Sequence, residues 1–122
     1  MSNRAVAKGR EWENAVARYL RHAGFNGTER RAKAGRYDKG DLIGIPGFMV
    51  ECKAGRRMDL AEWMEEVRTQ TLNAKTPFGA LVVKRPRKRV ENAYVVMFLE
   101  DFARLVKEWY DGRTGRNGFD GG

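Results

Sequence analysis

Three observations predict an α/β domain with a central mixed β-sheet flanked by helices. Segments with helical periodicity open and close the chain, and a third divides it. Between them lie short apolar runs of strand length, bounded by Gly, Pro and basic residues. The resulting order is helix, three strands, helix, two strands, helix, which is the alternation of an α/β fold.

Residues 4–23 carry Val6, Trp12, Val16, Tyr19, Leu20 and Ala23 at three- and four-residue steps, and Gly24 stops that helix. His22 sits at its end, where a cation is favourable, and reads as structural. A basic stretch follows, "RRAKAGRYDKG", expected to begin as a short strand over 28–31 and to continue as a loop. Residues 41–53, "DLIGIPGFMVECK", form an apolar hairpin turning at Pro46-Gly47. Residues 58–75 form the second helix, with Asp59 as N-cap and acids in the first turns. "FGALVVK" is a buried strand, "RPRKR" an exposed turn and "NAYVVMF" another strand. "LEDFARLVKEWY" closes the fold as a helix with Phe98, Phe102, Leu105 and Trp109 along one side.

The 122 residues suffice for one domain with a modest core, expected over 1–112. The stretch 113–122 is expected to be a flexible tail, since five glycines fall among the last twelve residues. A lone cysteine, Cys52, leaves no intramolecular disulfide and fits a reducing, cytoplasmic setting. With one histidine as well, there is no Cys/His set for zinc. No apolar run approaches the ~20 residues of a membrane span, and the N-terminus lacks the apolar core of a signal peptide. Lys and Arg number 24 against 16 Asp and Glu, a formal charge of +8, which points to a polyanionic partner.

Three charges in the hairpin need a reason. Alternate side chains share a strand face, so Glu51 and Lys53 point one way and Val50 and Cys52 the other. With Ile45-Pro46-Gly47 as the loop, Asp41 lies opposite Glu51, the Cβ atoms about 5 Å apart. Two bare carboxylates there repel, and a divalent cation between them reverses the sign; hard oxygen ligands suit Mg2+ or Mn2+. Pro46-Gly47 is equally the natural centre of a two-residue type II turn, which sets Asp41 opposite Cys52 unless a bulge intervenes. The first register accounts for the charges and is preferred on that chemical ground. A lone E-x-K is uninformative, since ten Glu and eight Lys yield about 0.7 chance matches. Here it ends an apolar strand, with an acid ten residues upstream and basic loops on both sides.

"GD…VECK" followed by an amphipathic helix resembles the PD-(D/E)XK nuclease superfamily, with Gly40 standing where the motif's name has proline. "KGREWE", with Lys8, Gly9 and Glu13, is similar to the opening of archaeal-type Holliday-junction resolvases. The resemblance covers roughly residues 8–85. It implies a restriction-endonuclease-like core and a Mg-dependent endonuclease. Asp41, Glu51 and the Cys52 backbone carbonyl would hold the metal, and Glu13 would reach toward it. Lys53 would position the attacking water, and a polar residue of the second helix would support the site. Trp63, Glu66 and Gln70 share a face there, and Gln70 is preferred with Glu66 close behind. Asp38 either assists the metal or balances Lys39 and Arg36, and the Cys52 thiol is expected in the core.

Arg30, Arg31, Lys33, Arg36 and Lys39 precede the hairpin, Arg56 and Arg57 follow it, and Lys84, Arg85, Arg87, Lys88 and Arg89 crowd one later turn. Three basic runs bracketing one site read as phosphate contacts. The sequence interleaves no aromatics with them, which favours duplex or branched DNA over single strands. The expectation is a metal-dependent endodeoxyribonuclease resolving Holliday junctions as a homodimer. A restriction- or repair-type duplex nuclease and a non-catalytic DNA-binding protein of the same fold are the alternatives.

Overall fold

Helix α1 (Asn3–His22) turns its Trp12, Val16 and Ala17 inward, as the periodicity requires. The computed structural model describes residues 3–32, 37–55 and 57–114. After α1 come strands β1 (Glu29–Arg30), β2 (Leu42–Ile43) and β3 (Phe48–Lys53), helix α2 (Leu60–Ala74), strands β4 (Phe78–Val83) and β5 (Tyr94–Val96), and helix α3 (Leu99–Thr114). Among the described residues the sheet runs β1-β2-β3-β4-β5, and only the β3–β4 pair, bridged by α2, is parallel. The described residues thus form an α/β fold, a five-stranded mixed sheet with three α-helices.

The alternation of β3 divides the core in two. Val50 and Cys52 face α1 and pack with Trp12, Val16, Ala17 and Leu42. Met49 faces α2 and packs with Met64, Val67, Leu81 and Val83. The Trp12 indole N–H donates to the Val82 carbonyl at 3.3 Å, tying α1 to β4. Asp59 caps α2 as expected, its Oδ1 accepting from the Glu62 N–H at 3.3 Å.

The hairpin joins both turn possibilities. Phe48 N–H donates to the Ile45 carbonyl at 3.0 Å and Gly47 has φ +83°, the geometry of a type II turn on Pro46-Gly47. That turn alone would put Asp41 opposite Cys52. Yet Leu42 pairs with Val50, so β2 carries one residue more than β3 between turn and pair. Extended by one residue, that register sets Asp41 beside Glu51, and Gly44, with φ +89°, lies in the segment that takes up the extra residue. Gly40 has φ +97°, a backbone that proline cannot adopt, which accounts for glycine before the aspartate.

Two expectations need correction at the C-terminal end. α3 runs through Gly112 to Thr114, past the Tyr110 end of the expected helix and into the expected tail, with Lys107–Asp111 at 2.7 Å and the Arg113 guanidinium 4.6 Å from the Trp109 ring centroid. The strand expected over 92–98 is shortened to β5, because Val90–Asn92 form a 3-10 turn whose Val90 packs on the α1 core. Residues 115–122 of the expected tail lie outside the described residues. Among those described, no helix is long and apolar enough to cross a membrane.

Candidate functional site

The site forms where the sheet's registers converge. Arg30 pairs with Leu42, so the next residues, Arg31 and Asp41, are level; the Arg31 N–H donates to the Asp41 carbonyl at 2.7 Å. Lys53 pairs with Val83, which puts Lys84 and the basic turn just beyond. The two acids, the lysine, Arg30, Arg31 and the turn that starts at Lys84 thus occupy one end of the sheet.

Asp41 and Glu51 are both buried, 6% and 5% exposed. Asp41 Oδ2 accepts from the Cys52 N–H at 2.9 Å, which fixes the carboxylate against β3. Among the described residues, Glu51 Oε1 is buried without a hydrogen-bond partner. Burial first, and then the neighbouring Asp41, push the Glu51 carboxyl up to about 8, while the Gln70 amide pulls the other way. An unpartnered carboxylate oxygen facing a second carboxylate fits a divalent cation, which would satisfy the oxygen and reverse the repulsion.

Lys53 Nζ lies 3.0 Å from Glu66 Oε2 and 3.8 Å from Glu51 Oε2, and 5.9 Å from the Trp63 ring centroid. Burial alone would lower its pKa, but Glu66, Glu51 and Asp41 outweigh burial and raise it. Lys53 therefore keeps its proton. Both polar candidates on α2 reach the site, by different routes: Glu66 holds Lys53, and Gln70, 3% exposed, faces Glu51.

Asp38 does more than balance neighbouring charges. Its Oδ2 accepts from Gln70 Nε2 at 2.8 Å, its Oδ1 from the Gly40 N–H at 2.9 Å, and its carbonyl from Asn73 Nδ2 at 2.9 Å. The loop before Asp41 is thereby braced on α2. Sequence reasoning missed Asn73, although its place three residues after Gln70 on one helical face was the signal. It also missed Arg21, whose guanidinium donates to the Thr28 carbonyl at 2.7 Å where β1 begins.

Glu13 lies on α1, which covers the Val50–Cys52 face; its carboxylate is 3.8 Å from Arg30 and near enough to Cys52 to act on its thiol. Among the described residues no three His, Cys, Asp or Glu side chains form a group that could hold a metal. The Cys52 thiol is buried in the α1 core as expected, and burial, with Asp41, Glu13 and Glu51 around it, pushes its pKa far up. It is inert as a nucleophile. The Cys52 carbonyl, by strand alternation, points the same way as that of Val50, which accepts from the Asp41 N–H at 2.9 Å. It faces the strand that carries Asp41.

The basic residues differ in their commitments. Arg30 is shared with Glu13, Arg85 lies 4.8 Å from the Tyr94 ring centroid, and Arg89 is 3.8 Å from Glu91. Lys39, Arg57, Lys84, Arg87 and Lys88 are exposed. Lys33, Arg36 and Arg56 lie outside the described residues. No family model, no curated protein and no solved structure matches this chain.

Proposed function

We propose that the chain is a metal-dependent endodeoxyribonuclease of the PD-(D/E)XK type, with a restriction-endonuclease-like core, acting on branched DNA of the Holliday-junction kind. One observation carries the reading: two buried carboxylates face each other across adjoining strands, one with an unpartnered oxygen, beside a protonated lysine at the basic end of the sheet. Asp41, Glu51 and the Cys52 carbonyl would hold Mg2+ or Mn2+, with Glu13 contributing through water. The ion supplies a Lewis acid for a phosphodiester oxygen and a lowered pKa for water. Lys53, being protonated, acts as a hydrogen-bond donor and not as a base. It orients the attacking water and stabilises charge developing on the phosphate. Glu66 keeps that ammonium in place, Gln70 orients Glu51, and the basic runs attract the DNA backbone. A homodimer would match the two-fold symmetry of a junction.

The test compares a four-way junction with linear duplex of the same sequence. Cleavage should require Mg2+ or Mn2+, favour the junction and vanish in excess chelator. Asp41→Asn and Glu51→Gln should each abolish cutting and leave DNA binding intact or tighter, since less negative charge then faces the phosphate. Cleavage in chelator overturns the metal mechanism. Equal cutting of duplex moves the protein to a restriction- or repair-type role, and tight binding without cleavage makes it a DNA-binding protein only.

A further inference from the structure

A concave surface beside Lys53 lies outside the catalytic set. We propose that it receives one unpaired nucleobase of the DNA held at the site, an inference that rests on the DNA-binding reading above. The basic turn has no aromatic neighbours in sequence, but the fold delivers them. Trp63 arrives from α2, Tyr94 from β5 and Met58 from the loop before α2, and with Arg85, Arg87 and Lys88 they line a cavity of about 350 Å3. A cavity of about 150 Å3 already accommodates benzene, so a purine fits.

The cavity's position follows from the sheet. Lys53 pairs with Val83 and Val83 with Tyr94, so the three stand in one row across β3, β4 and β5 on the α2 face. Two strand spacings, about 10 Å, separate Lys53 from Tyr94. A strand with one phosphate at Lys53 therefore brings an adjacent base over the cavity. Trp63 joins the two regions, since its ring lies under Lys53 and also lines the cavity.

The chemistry favours a flat, electron-rich ring. Val83 is a buried apolar floor, while Tyr94 and Met58 are about half exposed and leave surfaces free for stacking. The Arg85 guanidinium already stacks on Tyr94, and Arg planes stack on bases in the same way. Arg87 and Lys88 on the rim suit the flanking phosphates. A fully paired duplex keeps its bases stacked and has none to offer, whereas a junction or flap exposes bases at the branch. The cavity would thus select for branched or frayed substrates.

The experiment uses DNA carrying a single 2-aminopurine, placed either unpaired at the branch of a four-way junction or paired within linear duplex, with the full-length protein in excess chelator. Stacking on Tyr94 or Trp63 should quench the unpaired fluorophore at saturation, and the unpaired DNA should bind about 10-fold more tightly than the paired. Tyr94→Ala and Met58→Ala should each erase most of the quenching and of the preference, while Tyr94→Phe keeps both. Met58→Ala carries the test alone if Tyr94→Ala fails to fold, since Met58 lies in a loop. Tight binding without quenching, or quenching untouched by both alanine variants, overturns the proposal. Because the assay needs no cleavage, the two readings fail separately. A protein that cuts junctions in Mg2+ without quenching loses only the base cavity, and one that quenches without cutting loses only the nuclease.

Discussion

Glu51 and Lys53 stand 3.8 Å apart, and both hold their protons more tightly than usual, for opposite reasons. Burial and Asp41 disfavour the charged Glu51, whereas Glu66, Glu51 and Asp41 favour the charged Lys53 in spite of burial. The Glu51 shift makes stability depend on pH. Its carboxyl titrates near 8 when folded and near 4.5 as an ordinary glutamate, so between those values the folded state binds the extra proton. Stability of the metal-free protein should then fall as pH rises through that window, by at most about 1.4 kcal/mol per pH unit for one proton. Thermal melts in chelator from pH 5 to 8 should show this slope, Glu51→Gln should flatten it, and Mg2+ should oppose it by displacing the proton. Lys53→Met separates catalysis from charge balance. A water-orienting Lys53 predicts a single-turnover rate lowered on the order of 10²-fold with metal binding retained. A mere surface ion pair predicts an unchanged rate and less than about 1 kcal/mol of lost stability. Asp41, Glu51 and Lys53 were legible in the sequence because strand alternation and hairpin spacing act over a dozen residues. Asp38 was named there too, but its bracing role was not legible, because its partners Gln70 and Asn73 lie 32 and 35 residues away and the packed fold brings them to it.

Among the elements, the β2–β3 hairpin does most to set the site, and it depends on Gly44. Strand existence was readable from apolar runs, and register from the hairpin's charges but not from its turn. Pro46-Gly47 dictates the turn, and Gly44, at positive φ, lies in the segment that takes up the extra residue and lets Leu42 pair with Val50. A Cβ at Gly44 would run into the backbone carbonyl of Gly27, which has no side-chain freedom with which to yield. Gly44→Ala therefore combines a left-handed backbone with a backbone clash, and should destabilise by roughly 2 kcal/mol or more. If the hairpin relaxes into the unbulged register instead, Asp41 moves opposite Cys52 and metal binding weakens even in the folded fraction. Denaturant melts with and without Mg2+ read both effects. An Mg2+-dependent stabilisation equal to wild type would show that the bulge has no part in assembling the ligands. The 3-10 turn over Val90–Asn92 had no comparable signal, because three residues are too few to show a period. The extension of α3 to Thr114 was hidden by Gly112, which propensity reads as a stop and the Arg113–Trp109 stacking overrides.

At the scale of the whole molecule, Arg30, Arg31 and the turn from Lys84 lie at the end of the sheet with Asp41 and Lys53, while β5 and α3 expose Val95, Leu99, Phe102, Val106 and Trp109 on the flank. The sequence reads the α3 stripe as one apolar side, but no described residue of the helix is buried, and Phe102 and Trp109 are 52% and 60% exposed. A patch of this kind on a small domain marks an interaction surface. A second copy of the chain is the partner that the junction reading requires, because two cuts across a two-fold junction need two sites. The double variant Phe102→Glu with Trp109→Glu should therefore sediment as a monomer at concentrations where the wild type is dimeric, with dimer affinity lowered about 30-fold or more, as for lost central aromatic anchors. Each monomer keeps its own Asp41, Glu51 and Lys53, so the variant should still nick a junction strand in Mg2+ but lose the paired, symmetric cuts. Sedimentation velocity and the ratio of single nicks to paired cuts on a supercoiled cruciform measure the two consequences on one sample. A wild-type protein that is monomeric at all concentrations, or a variant that still cuts both strands together, would detach this face from junction resolution.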